Sequence, residues 1–125
     1  MFLDNIEKLT LNNSNFRMVL FTGQHQQLVI MSLKPKEEIG TEVHVIVDQF
    51  FRVESGQGKL LVNGEAHKIA EGDAFIVPAG TQHNVINTST TEPLKIYTVY
   101  SPPHHKDKTI HKTKAEAEKD TKDHI

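Results

Sequence analysis

The stretch from Gly72 to Asn87, GDAFIVPAGTQHNVIN, constrains this chain more than any other. It runs G-x5-P-x-G-x2-H-x3-N. Glu71-Gly72-Asp73 and Pro78-Ala79-Gly80 are turn chemistry, and the runs beside them, Ala74–Val77 and His83–Asn87, have the length of short strands. Proline and glycine at these spacings break any helical period. The segment therefore reads as strand, tight turn, strand, with one histidine, His83, opening the second strand.

The rest of the chain continues this rhythm. Strand-like runs are expected at Phe16–Phe21, Leu28–Leu33, Glu42–Val47, Gln49–Glu54, Lys59–Val62, His67–Ile69 and Leu94–Tyr100. Asn63-Gly64 is the strongest hairpin signal, because a two-residue type I′ turn needs positive φ at both positions. Many short strands at regular spacing predict an all-β sandwich or barrel over residues 15–101. Residues 1–14 are mixed and polar, an edge strand or one helical turn. Pro102-Pro103 ends the last strand. Residues 102–125 are rich in Lys, Asp, Glu and His, with Ile110 and Ile125 as the only large apolar side chains, so a solvated polar tail is expected. Thr113-Lys114-Ala115-Glu116 has the form of a capping box and predicts one short helix there.

Composition narrows the function. A length of 125 residues allows one domain. No run approaches the roughly 18 apolar residues of a membrane span, and the first residues lack the basic and apolar regions of a secretory signal. A cytoplasmic location fits. The chain has no cysteine, which excludes disulfides, thiolate ligands and cysteine nucleophiles. A formal charge of −2 with no basic stripe argues against nucleic acid as a partner. No serine-nucleophile constellation or phosphate-binding glycine loop is present.

The Gly72–Asn87 pattern resembles the second motif of the cupin superfamily, with every fixed position filled. The first cupin motif, G-x5-H-x-H-x3,4-E-x6-G, falls on Lys36 through Gly56. His44 and Gly56 hold their places; Lys36 stands where Gly is usual, Glu42 where the first His is usual, and Gln49 where Glu is usual. More narrowly, Asn15-Phe16-Arg17, Gln27–Pro35, Glu42-Val43-His44, Asp48–Gly56, His83–Asn87 and the tail stretches Tyr100–His104 and His111–Lys114 resemble short single-domain bacterial cupins. That resemblance implies a jelly-roll β-barrel, commonly dimeric, holding one divalent metal (Fe, Mn, Ni or Zn) in its mouth. Such proteins often carry a mannose-6-phosphate isomerase-like label, which is fold analogy only.

The candidate ligands are then Glu42, His44, Gln49 and His83. The carboxylate has moved to Glu42 and a neutral amide takes its old place, so the charge of the set is unchanged. Two His and one carboxylate are also the donors of mononuclear non-haem iron sites. Strand phase supports the assignment. Glu42 and His44, two apart, share one face, with Val43 and Val45 on the other. Gln49, Phe51 and Val53 should point inward, with Asp48, Phe50, Arg52 and Glu54 outward. Bland readings stand beside these. His83 alone would sooner bond a backbone carbonyl, Glu42 alone would be a surface carboxylate, and Gln49 is equally well a residue that orients a ligand. Phe51 and Tyr97 are carried as pocket residues, although the phase of Tyr97 against Tyr100 is ambiguous. His25 and His67 read as incidental; His104, His105 and His111 read as a solvated tail.

Three functions fit these residues. One is a metal-dependent enzyme acting on a small oxygen-rich molecule, a sugar or organic acid, as isomerase, dioxygenase, decarboxylase or lyase. Another is a module that binds such a ligand without turnover. The last is a barrel with no metal.

Overall fold

The computed structural model describes residues 1–124; Ile125 lies outside the described residues. After a short helix α1 (Ile6–Asn12) come β1 (Arg17–Thr22), β2 (Gln27–Leu33), β3 (Asp48–Ser55), β4 (Gln57–Val62), β5 (Glu65–Ala70), β6 (Ala74–Val77), β7 (His83–Asn87) and β8 (Leu94–Ser101). A two-residue strand β9 (Ile110–His111) and a helix α2 (Lys114–Lys119) follow. The strands form two antiparallel sheets, in orders β6-β3-β8-β2-β1-β9 and β5-β4-β7.

The period-2 pattern of the sequence sets the barrel interior. In β8, Leu94, Ile96, Thr98 and Tyr100 are buried, while Lys95, Tyr97 and Val99 are half-buried and Ser101 is exposed. They meet Val29, Met31 and Leu33 of β2, Phe51 and Val53 of β3, and Leu60, Ile69 and Val85 of the smaller sheet in one apolar cluster. Each such side chain contributes about 1.5–3 kcal/mol on burial. In β3, Gln49, Phe51 and Val53 point in and Asp48 points out, as phase predicts. Glu54 breaks that phase: it is buried, paired at 3.0 Å with Arg52, at a register shift between Val53 and Ser55. The extra residue of this bulge lies beside Arg52, whose guanidinium meets the Glu54 charge.

Two further expectations are corrected, and the N-terminal segment takes its helical alternative. Residues 6–12 form two turns of helix, capped by Asn5, whose side chain accepts from the Lys8 amide. Glu42–Val47 is not a continuous strand. Residues 37–44 run along the free edge of β7 but touch it in single bridges, Glu38 to Ile86 and Glu42 to His83. Between the bridges Gly40, at φ 114°, donates instead to the Asn84 side chain at 2.9 Å, which interrupts the ladder. Nor is the tail solvated. β9 pairs with β1, and His105, His111 and Asp123 are buried. The Thr113/Glu116 capping box is present and opens α2. Asn87 braces the barrel, its amide donating to the carbonyls of Leu33, Lys34 and Glu92.

Val43, Val45, Ile46 and Ile76 remain exposed, so no second sheet of the described residues covers them. No helix of the described residues is long and apolar enough to cross a membrane.

Two motif positions show their backbone demands. Gly56 has φ 98°, and a Cβ there would meet the Pro93 carbonyl oxygen at 2.6 Å. Lys36, where the motif has glycine, has φ 66° with a lysine side chain. Gly56→Ala should lower stability by roughly 2–4 kcal/mol, combining overpacking with left-handed strain. Lys36→Gly should leave stability unchanged or raise it by up to about 1 kcal/mol, since relieved strain outweighs lost chain stiffness. Urea denaturation of both variants checks this pair; a stabilised Gly56→Ala or a strongly destabilised Lys36→Gly would contradict it.

Candidate metal centre

The Gly72–Asn87 motif works by placing backbone first. The Glu42 and His83 amides each donate to the other's carbonyl at 2.9 Å. This reciprocal pair fixes Glu42 beside the start of β7. The Gly80 amide donates to the His44 carbonyl at 2.8 Å, and the Ala79 amide donates to Asp48 at 2.8 Å. The Pro78–Gly80 turn therefore holds both ends of the segment carrying His44. Asp48, which faces outward, has this bracing role.

Four side chains converge inside this frame. His44, Gln49 and His83 are buried, and Glu42 is half-buried. His44 Nε2 lies 3.8 Å from Glu42 Oε2, and the His44 and His83 ring centroids are 5.4 Å apart. His83 Nδ1 sits 3.0 Å from the Thr81 carbonyl oxygen. A carbonyl only accepts, so Nδ1 carries a proton, and in the neutral ring Nε2 is the bare lone pair. The bland and functional readings of His83 are thus both met: one ring nitrogen bonds a backbone carbonyl and orients the other. Gln49 is held in the same way. Thr98 Oγ1 donates to the Phe50 carbonyl at 2.7 Å and accepts from Gln49 Nε2 at 3.0 Å. The amide is thereby oriented, and its oxygen is left free.

His44 Nε2, His83 Nε2 and Gln49 Oε1 are buried without any hydrogen-bond partner. An unmet buried polar atom costs about 1–3 kcal/mol. Three together are comparable to the whole stability of a small domain, about 5–15 kcal/mol. At least two of the three are acceptors, and the Glu42 carboxylate beside them also accepts. A cation satisfies such a wall of acceptors together, and these donor types suit a divalent transition ion. The residues fit the group.

A cupin-domain family model matches residues 29–100 of this chain. The chain belongs to the cupin family. It is 45% identical over 122 residues to the uncharacterized protein YrkC of Bacillus subtilis, covering 93% of this chain and 65% of YrkC. It is 45% identical over 107 residues to the uncharacterized protein L612 of Acanthamoeba polyphaga mimivirus, covering 83% of this chain and 67% of L612. The chain thus spans about two thirds of the length of these relatives. A crystal structure of BH2720 from Bacillus halodurans superposes with a TM-score of 0.91 at 42% identity, covering 94% of this chain and 92% of that one. The all-β cupin barrel is shared with these proteins, and cupins commonly bind a divalent metal.

Of the two expected pocket residues in this cupin, Phe51 is in place, its ring edge-on to His83 at 6.2 Å and stacked on Phe75 at 4.7 Å. Tyr97 is not. It stands on the outer face of β8, its ring 6.2 Å from that of Phe50. The reason is strand parity: Leu94 and Ile96 point inward, so Thr98 and Tyr100 do too. Tyr100 is buried against His44, with ring centroids 5.9 Å apart.

The tail supplies residues the sequence reading left in solvent. The Tyr100 hydroxyl lies 3.1 Å from His105 Nε2, and His105 Nδ1 lies 2.6 Å from the Asp123 carboxylate. The polarity is fixed: Tyr100 donates to His105, which donates to Asp123. The His104 ring packs 4.4 Å from that of His44. Arg17 is buried inside β1, its Nη1 donating to His111 Nδ1 at 3.3 Å, while His111 Nε2 donates to Asp120 at 2.9 Å. Arg17 Nε has no partner, and among the described residues no carboxylate lies within ion-pair distance of it.

Burial raises the Glu42 carboxyl above its usual range, opposed by the charges of Arg17 and His83. Burial also lowers His44 to about 4, aided by His104 and His83. The unfolded chain, with His44 near 6.5, binds a proton that the folded chain refuses. Metal-free protein should therefore lose stability as pH falls from about 6.5 to about 4, by at most about 1.4 kcal/mol per pH unit from this group. Urea midpoints of chelator-treated protein across that window check this, with His44→Asn expected to give a shallower slope. An unchanged slope in the variant would assign the effect elsewhere.

Proposed function

We propose that this cupin holds one divalent metal ion on Glu42, His44 and His83, with Gln49 completing the set through its amide oxygen, and acts as an enzyme on a small organic acid. The observation that carries this reading is three buried side-chain atoms without partners, on His44, His83 and Gln49, with the Glu42 carboxylate 3.8 Å from His44 Nε2. A metal bound there supplies a Lewis acid for an oxygen-rich ligand. The remaining roles belong to the chain. Thr81 and Thr98 orient His83 and Gln49. Phe51 and Phe75 form an apolar wall that limits water. Arg17 favours an acid over a neutral sugar, because its buried guanidinium has an unmet donor and its charge is felt at Glu42, His44 and Tyr100. Burial raises the Tyr100 hydroxyl above the usual phenol range, so it keeps its proton and donates to His105.

Purified protein should carry about one equivalent of a divalent metal, and His44→Ala and His83→Ala should lose most of it. Elemental analysis of the three proteins decides this. Equal, negligible metal in all of them would remove the site. With metal loaded, citrate or malonate should raise the melting temperature by a few degrees, glucose should not, and Arg17→Met should abolish the shift. Stabilisation by glucose alone would point to a sugar instead.

A binding module without turnover is the second reading. It is favoured by the packing of His104 and His124 rings, centroids 4.5 Å apart, on the His44 side of the mouth. Product analysis on the acids that bind separates it from the enzyme. The exposed Val43, Val45, Ile46 and Ile76 support a homodimer, as a mass of about twice 14.1 kDa in light scattering would show.

A further inference from the structure

We propose that His104, which lies outside both cupin motifs, is an additional ligand of the same ion, so that the C-terminal tail is a strap closed over the metal centre by coordination. This rests on the metal reading above and goes beyond it, because it makes tail order depend on metal.

The geometry is specific to His104. One donor atom each from Glu42, His44 and His104 lie within 4.8 Å of one another. The His104 ring meets the His44 ring edge-on at 4.4 Å and stacks on the Tyr100 ring at 5.4 Å. On its remaining side it packs against His124 at 4.5 Å. With the His105 ring at 4.9 Å, four rings hold its rotamer before any ion arrives. The backbone is held as firmly. Gln27 is fully buried, and its Oε1 accepts from the amides of both His104 and His105, at 3.1 and 2.9 Å. Its Nε2 donates to the His105 carbonyl at 2.7 Å. One side chain thus uses both ends of its amide to fix two consecutive tail residues. The buried His105–Asp123 bond and the β9–β1 pairing anchor the chain beyond.

Two other tail clusters have metal-like composition, His105/Asp123/His124 and His111/Asp120/Asp123. The buried histidine of each is already spent. His105 is bonded to Asp123 and Tyr100, and His111 to Asp120 and Arg17. His104 differs: no hydrogen bond engages its ring nitrogens among the described residues, and Nε2 of its neighbour His44 is also unmet. A third neutral imidazole adds a donor without changing the charge of the Glu42, His44, His83 and Gln49 set. For a ligand to reach the metal, His104 must leave or the strap must lift.

Co(II) is the probe, with the full chain, measured by calorimetry and by NMR of the paramagnetically shifted imidazole resonances. Wild type should show three shifted imidazole sets. His104→Ala should show two and bind Co(II) at least about tenfold more weakly. His104→Gln, which keeps polarity and much of the volume, guards against an unfolded variant and should behave likewise. His124→Ala should keep three sets. Adding Co(II) should slow amide exchange across residues 102–124 in wild type and not in His104→Ala. His104 variants with wild-type affinity, three sets and the same protection would overturn the strap. A simultaneous loss of Co(II) in His44→Ala would then leave the metal reading standing. A wild type that binds no Co(II) would overturn both.

Discussion

Two hydrogen bonds between the backbones of Glu42 and His83 join the halves of this molecule's site. The residues are forty-one positions apart in sequence, and neither half is a site without the other. The turn Pro78-Ala79-Gly80 adds the clasp, holding the His44 carbonyl through Gly80 and Asp48 through Ala79. Side chains then follow from backbone. Glu42 and His44 fall on one face, His83 opens β7 beside them, and Gln49 enters from the facing sheet.

The consequence is electrostatic. Among the motif side chains, the barrel leaves the Gln49 oxygen and the Glu42 carboxylate as acceptors. The Thr81 carbonyl takes the Nδ1 proton of His83, and Thr98 takes an amide proton of Gln49. What remains are His83 Nε2, Gln49 Oε1 and His44 Nε2 without partners, and each unmet buried atom costs about 1–3 kcal/mol. The motif departures at positions 42 and 49 keep this logic, since the carboxylate moves and the amide still offers an oxygen. Buried His–Asp pairs in the tail provide the contrast. They resemble a metal site in composition, but their hydrogen bonds are closed among themselves.

Local spacing made much of this legible. Period 2 put Gln49 inside and Asp48 outside, and the Gly72–Asn87 pattern located His83 and its turn. The Lys36 departure marked a backbone position that does adopt positive φ. The errors share a cause. The tail was read from its lack of apolar residues, but it docks through satisfied polar contacts centred on Gln27, His105 and Asp123, which no hydrophobic pattern records. Tyr97 was carried over Tyr100 because parity on β8 needed the burial of Leu94 and Ile96 to settle it. Glu42–Val47 read as a strand because its alternation is real, yet only one bridge secures it. Arg17 carries no motif signal, and only its burial without a carboxylate singles it out.

The central claim is that unmet acceptors from both motifs define one metal position. An anomalous difference map from crystals of the Co(II)-loaded protein tests it most directly. The account predicts a single strong peak enclosed by Glu42, His44, His83 and Gln49. A map empty there, or a peak confined to the His105/Asp123/His124 cluster, would contradict it.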